Sequence, residues 1–242
     1  MEQEIEEAGK AWYSMEGKEN DVVISSRVRL CRNLANFPFP EKFRGDDESR
    51  VEAIIMDAFR KVPAFEGYRS IKTSLLSPLN RRILEELGVL KLQDEIERRN
   101  LVFESLALMN SEGNLSAVIN GTDHLKLSSF SSGLDYGGCF NAVKSLDAEL
   151  EKSLQFAATY DFGYITSALK NSGSGMKISA RIALPGTFRA GKMQTVIDYV
   201  RRKNAVIVPA FPQILSENLP APGSYFLLCG RNAYRGSEID QI

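Results

Sequence analysis

Between Phe103 and Ser128 three short apolar runs are separated by turn signals, and this pattern constrains the fold more than any other stretch of the chain. Phe103–Met109 and Leu115–Ile119 read as strands, with Asn110–Asn114 as the turn between them. Asn120-Gly121 is a tight-turn signal, and after it His124–Ser128 alternates polar with apolar residues. Connections this short leave no room for a crossover helix, so the three runs form an antiparallel meander.

Helical periodicity flanks this meander. Glu48–Lys61 carries Val51, Ile54, Ile55, Ala58 and Phe59 at helical spacing and is stopped by Pro63. Pro78–Leu87 begins on proline and ends at Gly88. Leu134–Thr159 reads as one long amphipathic helix with Phe140, Val143, Leu146, Leu150 and Leu154 on one face. Short strands are expected at 21–25, 164–166, 177–184, 205–208 and 225–229, with a helix at 189–202. Several strand pairs with few interposed helices predict an α+β domain built on a largely antiparallel sheet flanked by helices. Residues 1–20, acidic and carrying the single tryptophan Trp12 as a packing anchor, read as an N-terminal arm. Residues 21–242 show no linker and read as one domain.

Composition excludes several functions. Thirty Lys+Arg against 31 Asp+Glu give a formal charge of −1, which supplies no net field for nucleic-acid binding. The acidic start is unlike a secretory signal, and no run approaches the roughly 18 apolar residues of a membrane span. Cys31, Cys139 and Cys229 are odd in number and widely spaced, which fits reduced thiols in a cytoplasm rather than a disulfide framework. The single histidine, His124, rules out two-histidine metal sites, and no metal ligand set is read. Its neighbour Asp123 allows a dyad, but without a GxSxG elbow the plainer reading is a histidine satisfied by backbone or by Asp123.

Two segments suit anions. Arg27 and Arg29, two apart on an extended run, project from one face and can present paired guanidinium forks to phosphate; equally, they can be surface arginines at a strand end. Asn171-Ser-Gly-Ser-Gly-Met-Lys177 allows an N–H nest for an anion, or is a plain connection; it does not fit GxxxxGK[ST].

Taken in order, Val23–Leu34 with Phe37-Pro38, Ala117–Leu127 and Phe162–Lys177 resemble the ATP:guanidino phosphotransferases, and within that family the catalytic domain of the bacterial protein arginine kinases. The resemblance implies a glutamine-synthetase-like catalytic fold. It also implies ATP or ADP with Mg²⁺ as ligand, held by Ser25, Ser26, Arg27, Val28, Arg29, Lys126, Lys177, Ile178, Ser179, Ala180 and Arg181. The substrate loop would comprise Ala168, Asn171, Gly173 and Gly175.

The family chemistry also needs a carboxylate, and here the match fails. Where the family reads Asn-Glu-Glu-Asp-His this chain reads Asn120-Gly-Thr-Asp-His124, so Thr122 stands at the catalytic glutamate position. Lys126 and Lys177 replace arginines, keeping charge but not the bidentate fork. Ala168 replaces a loop cysteine, Val208–Gln213 retains neither arginine nor acid, and 88–93 lacks the adenine-stacking histidine. The family's C-terminal region, for dimerisation and phosphoarginine recognition, is not expected in a chain of this length. The leading expectation is a pseudokinase with a binding role toward a protein arginine kinase, its zinc-containing activator or a heat-shock chaperone-protease. An active kinase using Asp123 or Glu217 as acid, and a phosphoarginine-binding module, remain open alternatives.

Overall fold

The computed structural model describes residues 11–63, 65–90, 105–210 and 224–230. Among these residues ten strands are present: β1 Val23–Arg32, β2 Arg69–Lys72, β3 Leu106–Met109, β4 Leu115–Ile119, β5 Leu125–Ser132, β6 Ala158–Thr159, β7 Gly163–Tyr164, β8 Met176–Ala183, β9 Ala205–Pro209 and β10 Tyr225–Gly230. The helices are α1 Asp47–Phe59, α2 Pro78–Leu87, α3 Tyr136–Glu151, α4 Pro185–Arg189 and α5 Met193–Arg202. Eight strands form one sheet in the order β2-β3-β4-β5-β1-β8-β10-β9, and every neighbouring pair is antiparallel. β6 and β7 make a separate small ribbon.

The meander read from the sequence is β3-β4-β5, and it supplies one half of the sheet. Opposed residues on adjacent strands share a face, so the pairings sort side chains without ambiguity. On one face Leu106, Leu108, Ala117, Ile119, Leu125, Leu127, Val28 and Leu30 meet Val51, Ile55 and Phe59 of α1 and Val143, Leu146 and Leu150 of α3. At the far end of the same face Ala180, Ile182, Ile207 and Phe226 pack against Met193, Val196, Ile197 and Val200 of α5. The opposite face is covered over its β3–β5 half, where Ala107, Val118 and Phe130 pack with Val89, Leu90, Leu84 and Leu87 at the end of α2.

Trp12 closes that second cluster, stacked on Phe130 at 5.5 Å between ring centroids. The described end of the expected arm, residues 11–20, is therefore docked on the sheet rather than detached from it.

Several expectations are revised. β1 runs through the arginine segment to Arg32, because Arg32 finds a buried carboxylate instead of water. The helix expected over 134–159 stops at Glu151, and Leu154 and Phe156 stay buried on non-helical chain beyond it. The helix expected over 189–202 is broken, with Gly191 at φ +66° separating α4 from α5. The strand expected over 177–184 ends at Ala183, and Pro185 just beyond it opens α4, a helix not foreseen. β2 was not foreseen. Asp94–Arg99, a charged run that reads as a solvated face, and Glu217 lie outside the described residues.

Candidate functional site: a cationic face at the middle of the sheet

Between the half covered by α2 and the β10-β9 edge, the second face carries positive charge. Arg29 of β1 is opposed by Lys177 on β8 and by Ser128 on β5. One step along the strands Arg27 lies opposite Ser179, and Cys31 lies opposite Lys126. Arg181 opposes Ser25. The alternation of β1, β5 and β8 thus brings Ser25, Arg27, Arg29, Lys126, Lys177, Ser179 and Arg181 to one face.

The same alternation divides the expected nucleotide set between the two faces of the sheet. Ser26, Val28, Ile178 and Ala180 point to the opposite face. The Ser26 hydroxyl donates to the Gly133 carbonyl at 2.7 Å, Val28 and Ile178 pack in the α1/α3 cluster, and Ala180 packs in the α5 cluster. Their side chains do not reach a ligand on the cationic face.

The cations are crowded and partly dehydrated. Burial first, then Arg29 and Arg181, lowers the Arg27 guanidinium to about 10, where it is still charged at neutral pH. Arg181 is likewise lowered by burial, against the opposing effect of Glu86. Arg27 Nε donates to Ser179 Oγ at 3.1 Å. Arg29 Nε is buried without a hydrogen-bond partner, as is Ser128 Oγ beside it. A buried guanidinium nitrogen left unpaired among like charges is a place where an anion is favoured. These residues fit a nucleotide's phosphates. Among the described residues no group of three His, Cys, Asp or Glu could hold a metal ion.

At the 120–124 turn Asp123 and His124 bond within the protein. Thr122 is half-buried at the turn, where Asn120 takes φ +55° and the Gly121 N–H meets the Asp123 carbonyl at 3.1 Å. Asp123 is buried, and its Oδ1 accepts from Asn33 Nδ2 at 2.8 Å and from the Ser167 N–H at 2.7 Å. Its carboxylate ties β1 to the 165–167 segment. His124 is fully buried, and its Nδ1 accepts from the Leu34 N–H at 2.9 Å while Nε2–H donates to the Pro38 carbonyl at 2.8 Å. Stacked on Phe43 and lowered by burial, it is held neutral as a packing residue. The backbone groups that satisfy it come from the segment after β1, not from its own turn. Cys31 lies on the cationic face near Asp123, and burial pushes its thiol up.

The glycine loop is likewise not an open anion nest. The N–H of Asn171 bonds the Ala168 carbonyl, that of Ser172 the Leu169 carbonyl, and that of Gly173 the Tyr164 carbonyl. Gly175, at φ +66°, packs so closely on β1 that a Cβ would lie 2.5 Å from Arg32 Nη1 and 2.7 Å from the Cys31 carbonyl oxygen. Ala168, Asn171, Gly173 and Gly175 are thereby fastened beside the face, and the N–H groups of Asn171, Ser172 and Gly173 are spent on the protein itself.

Sequence reading missed Ser128 and Ser116, although the period-two pattern of β4 and β5 puts both on the face of Lys126. It also missed the backbone carbonyls that the cations contact, which carry no sequence signal.

Comparison with known proteins accords with this arrangement. The ATP:guanido phosphotransferase C-terminal catalytic domain family matches residues 50–207. The chain belongs to this family. Protein-arginine kinases of Bacillus cereus and Bacillus anthracis are 26% identical to this phosphotransferase-family chain over 247 aligned residues, covering 98% of it. It spans 65% of the length of those curated relatives. Among solved structures, the duplicated taurocyamine kinase of Schistosoma mansoni with bound transition-state analogue components superposes with a TM-score of 0.76 at 18% identity. The match covers 94% of this chain and 31% of that one. A lombricine kinase gives 0.72 at 16% identity, covering 97% of this chain and 65% of the other. These likenesses establish the guanidino-kinase α+β fold for this family member.

Proposed function

We propose that this chain is a protein-arginine-kinase-like domain that binds the phosphates of ATP or ADP, with Mg²⁺ carried on them, and does not transfer the phosphoryl group. One observation carries the reading. The cationic face keeps Arg27, Arg29, Lys126 and Lys177 together with an unpaired guanidinium nitrogen, while the turn beside it has Thr122 at the catalytic position and commits Asp123 to Asn33 and Ser167.

Phosphoryl transfer depends on positioning and charge, and losing one transition-state group costs about 10²–10³-fold. A threonine cannot accept the guanidinium proton, and Lys126 and Lys177 neutralise phosphate without a fork. Together these changes leave binding while removing turnover.

The role that follows is regulatory and cytoplasmic, exerted on a protein arginine kinase, its zinc-containing activator or a heat-shock chaperone-protease. Among the described residues no helix is long and apolar enough to cross a membrane. The test is incubation of the purified chain with Mg·ATP and either free arginine or an arginine-rich protein, followed by assay for acid-labile phosphate on arginine. No product is expected. Turnover that disappears in Asp123→Ala would instead establish an active kinase with Asp123 as its acid.

A further inference from the structure

Three cations of the site donate to backbone carbonyls at the end of α2. The helix stops at Gly88, which takes φ +84°, and the N–H groups of Gly88, Val89 and Leu90 fold back onto the carbonyls of Glu85 and Leu84. This closing turn leaves the next carbonyls without helical partners and with the negative end of the helix dipole behind them. The cationic face supplies what they lack. Arg27 Nη1 donates to the Gly88 carbonyl at 3.0 Å, Lys126 Nζ to the Val89 carbonyl at 2.6 Å, and Arg181 Nη2 to the Glu86 carbonyl. The three donors come from β1, β5 and β8, adjacent in the sheet, so the turn spans the cationic face.

Glycine at 88 makes the approach possible, because a Cβ there would lie 2.8 Å from Arg27 Nη1. Val89 and Leu90 anchor the turn by packing with Trp12, Ala107, Val118 and Phe130. Buried polar atoms with no hydrogen-bond partner on the same face include Arg29 Nε, Ser128 Oγ and Ser116 Oγ. Register puts these residues in one row across β1, β5 and β4.

We infer that the closing turn of α2, Glu86–Leu90, is an internal latch whose carbonyl oxygens stand in for phosphate oxygens, and that a nucleoside phosphate binds by displacing it. This rests on the phosphate-binding reading above. Carbonyls carry partial charge and phosphate oxygens carry full charge, so the same donors bond phosphate more strongly. The exchange is favourable once ligand is present. Without ligand, the latch neutralises the like-charged cluster and lowers apparent affinity by the fraction of molecules in which it is closed.

Hydrogen–deuterium exchange on the whole chain, with and without saturating Mg·ADP, tests this. Amides of Gly88, Val89 and Leu90 should exchange roughly tenfold faster when the nucleotide is bound, and Leu90→Ala, which loosens the anchor, should bind Mg·ADP roughly tenfold more tightly. Heat of binding with unchanged or slower exchange over 84–90 would overturn the latch while leaving phosphate binding intact. No heat of binding in either protein would overturn the phosphate reading and the latch with it. Should Leu90→Ala fail to fold, exchange in the wild-type chain decides alone.

Discussion

Arg32 and Asp147 are joined by two hydrogen bonds, Nε to Oδ1 at 3.0 Å and Nη2 to Oδ2 at 2.8 Å, and neither side chain is exposed to solvent. The pair fastens the end of β1 to the middle of α3. Arg32 Nη1 also donates to the carbonyls of Cys31 and Ser174, and the guanidinium stacks 3.6 Å from the Tyr164 ring centroid. One buried arginine therefore holds the strand that carries Arg27 and Arg29, the helix beneath it and the glycine loop. Replacing Asp147 by Ala strands a buried guanidinium and should cost about 3–5 kcal/mol in urea unfolding. Arg32→Met with Asp147→Leu should recover most of that loss; if the double variant is no more stable than the single, the charge pair is not what holds this junction.

Gly175 and Gly191 share φ +66° but differ in surroundings. Alanine at 191 meets open space and should cost only the left-handed strain, about 1 kcal/mol. Alanine at 175 adds contact with Arg32 Nη1 and the Cys31 carbonyl, and should cost at least about 2 kcal/mol more. Denaturant midpoints of the two variants compare them directly. Equal losses would mean that the loop can move off β1.

His124 gives the fold a pH dependence of known sign. Burial lowers its pKa below the usual 6.5, so as pH falls the unfolded chain takes up the proton first. Stability should be full above about pH 7 and fall below about 6.5, by at most about 1.4 kcal/mol per pH unit. The chain has a single histidine, so one substitution isolates its share of any slope between pH 5 and 7. Urea midpoints across that range should slope in the wild type and flatten in His124→Gln; an unchanged slope would assign it to other groups.

Much of the fold was legible where local pattern and tertiary demand agree. The β3-β4-β5 meander and the end of α2 at Gly88 follow from turn and cap chemistry. The expected helix is too long because Leu154 and Phe156 are buried on non-helical chain, which continues an apolar pattern without continuing the helix. β2 is an edge strand with only Ile71 half-buried, so it carries no alternation to read. At the site, the spacing of Arg27 and Arg29 predicted their shared face. The role of Asp123 depends on Asn33 and Ser167, 90 and 44 positions away, and the contacts to Gly88 and Val89 use backbone atoms. Local pattern encodes neither.

The account stands on phosphate binding at the Arg27–Arg29 face without catalysis there, and calorimetric titration of Mg·ADP into the wild-type chain and Arg29→Ala addresses it most directly. The side chain of Arg29 is half-exposed apart from its buried Nε and has no core-packing role, so the variant should fold normally. A measurable heat in the wild type that weakens by at least about tenfold in Arg29→Ala is the predicted result, in line with the worth of a charge-assisted hydrogen bond. No heat in the wild type, or equal affinity in the two proteins, would contradict it.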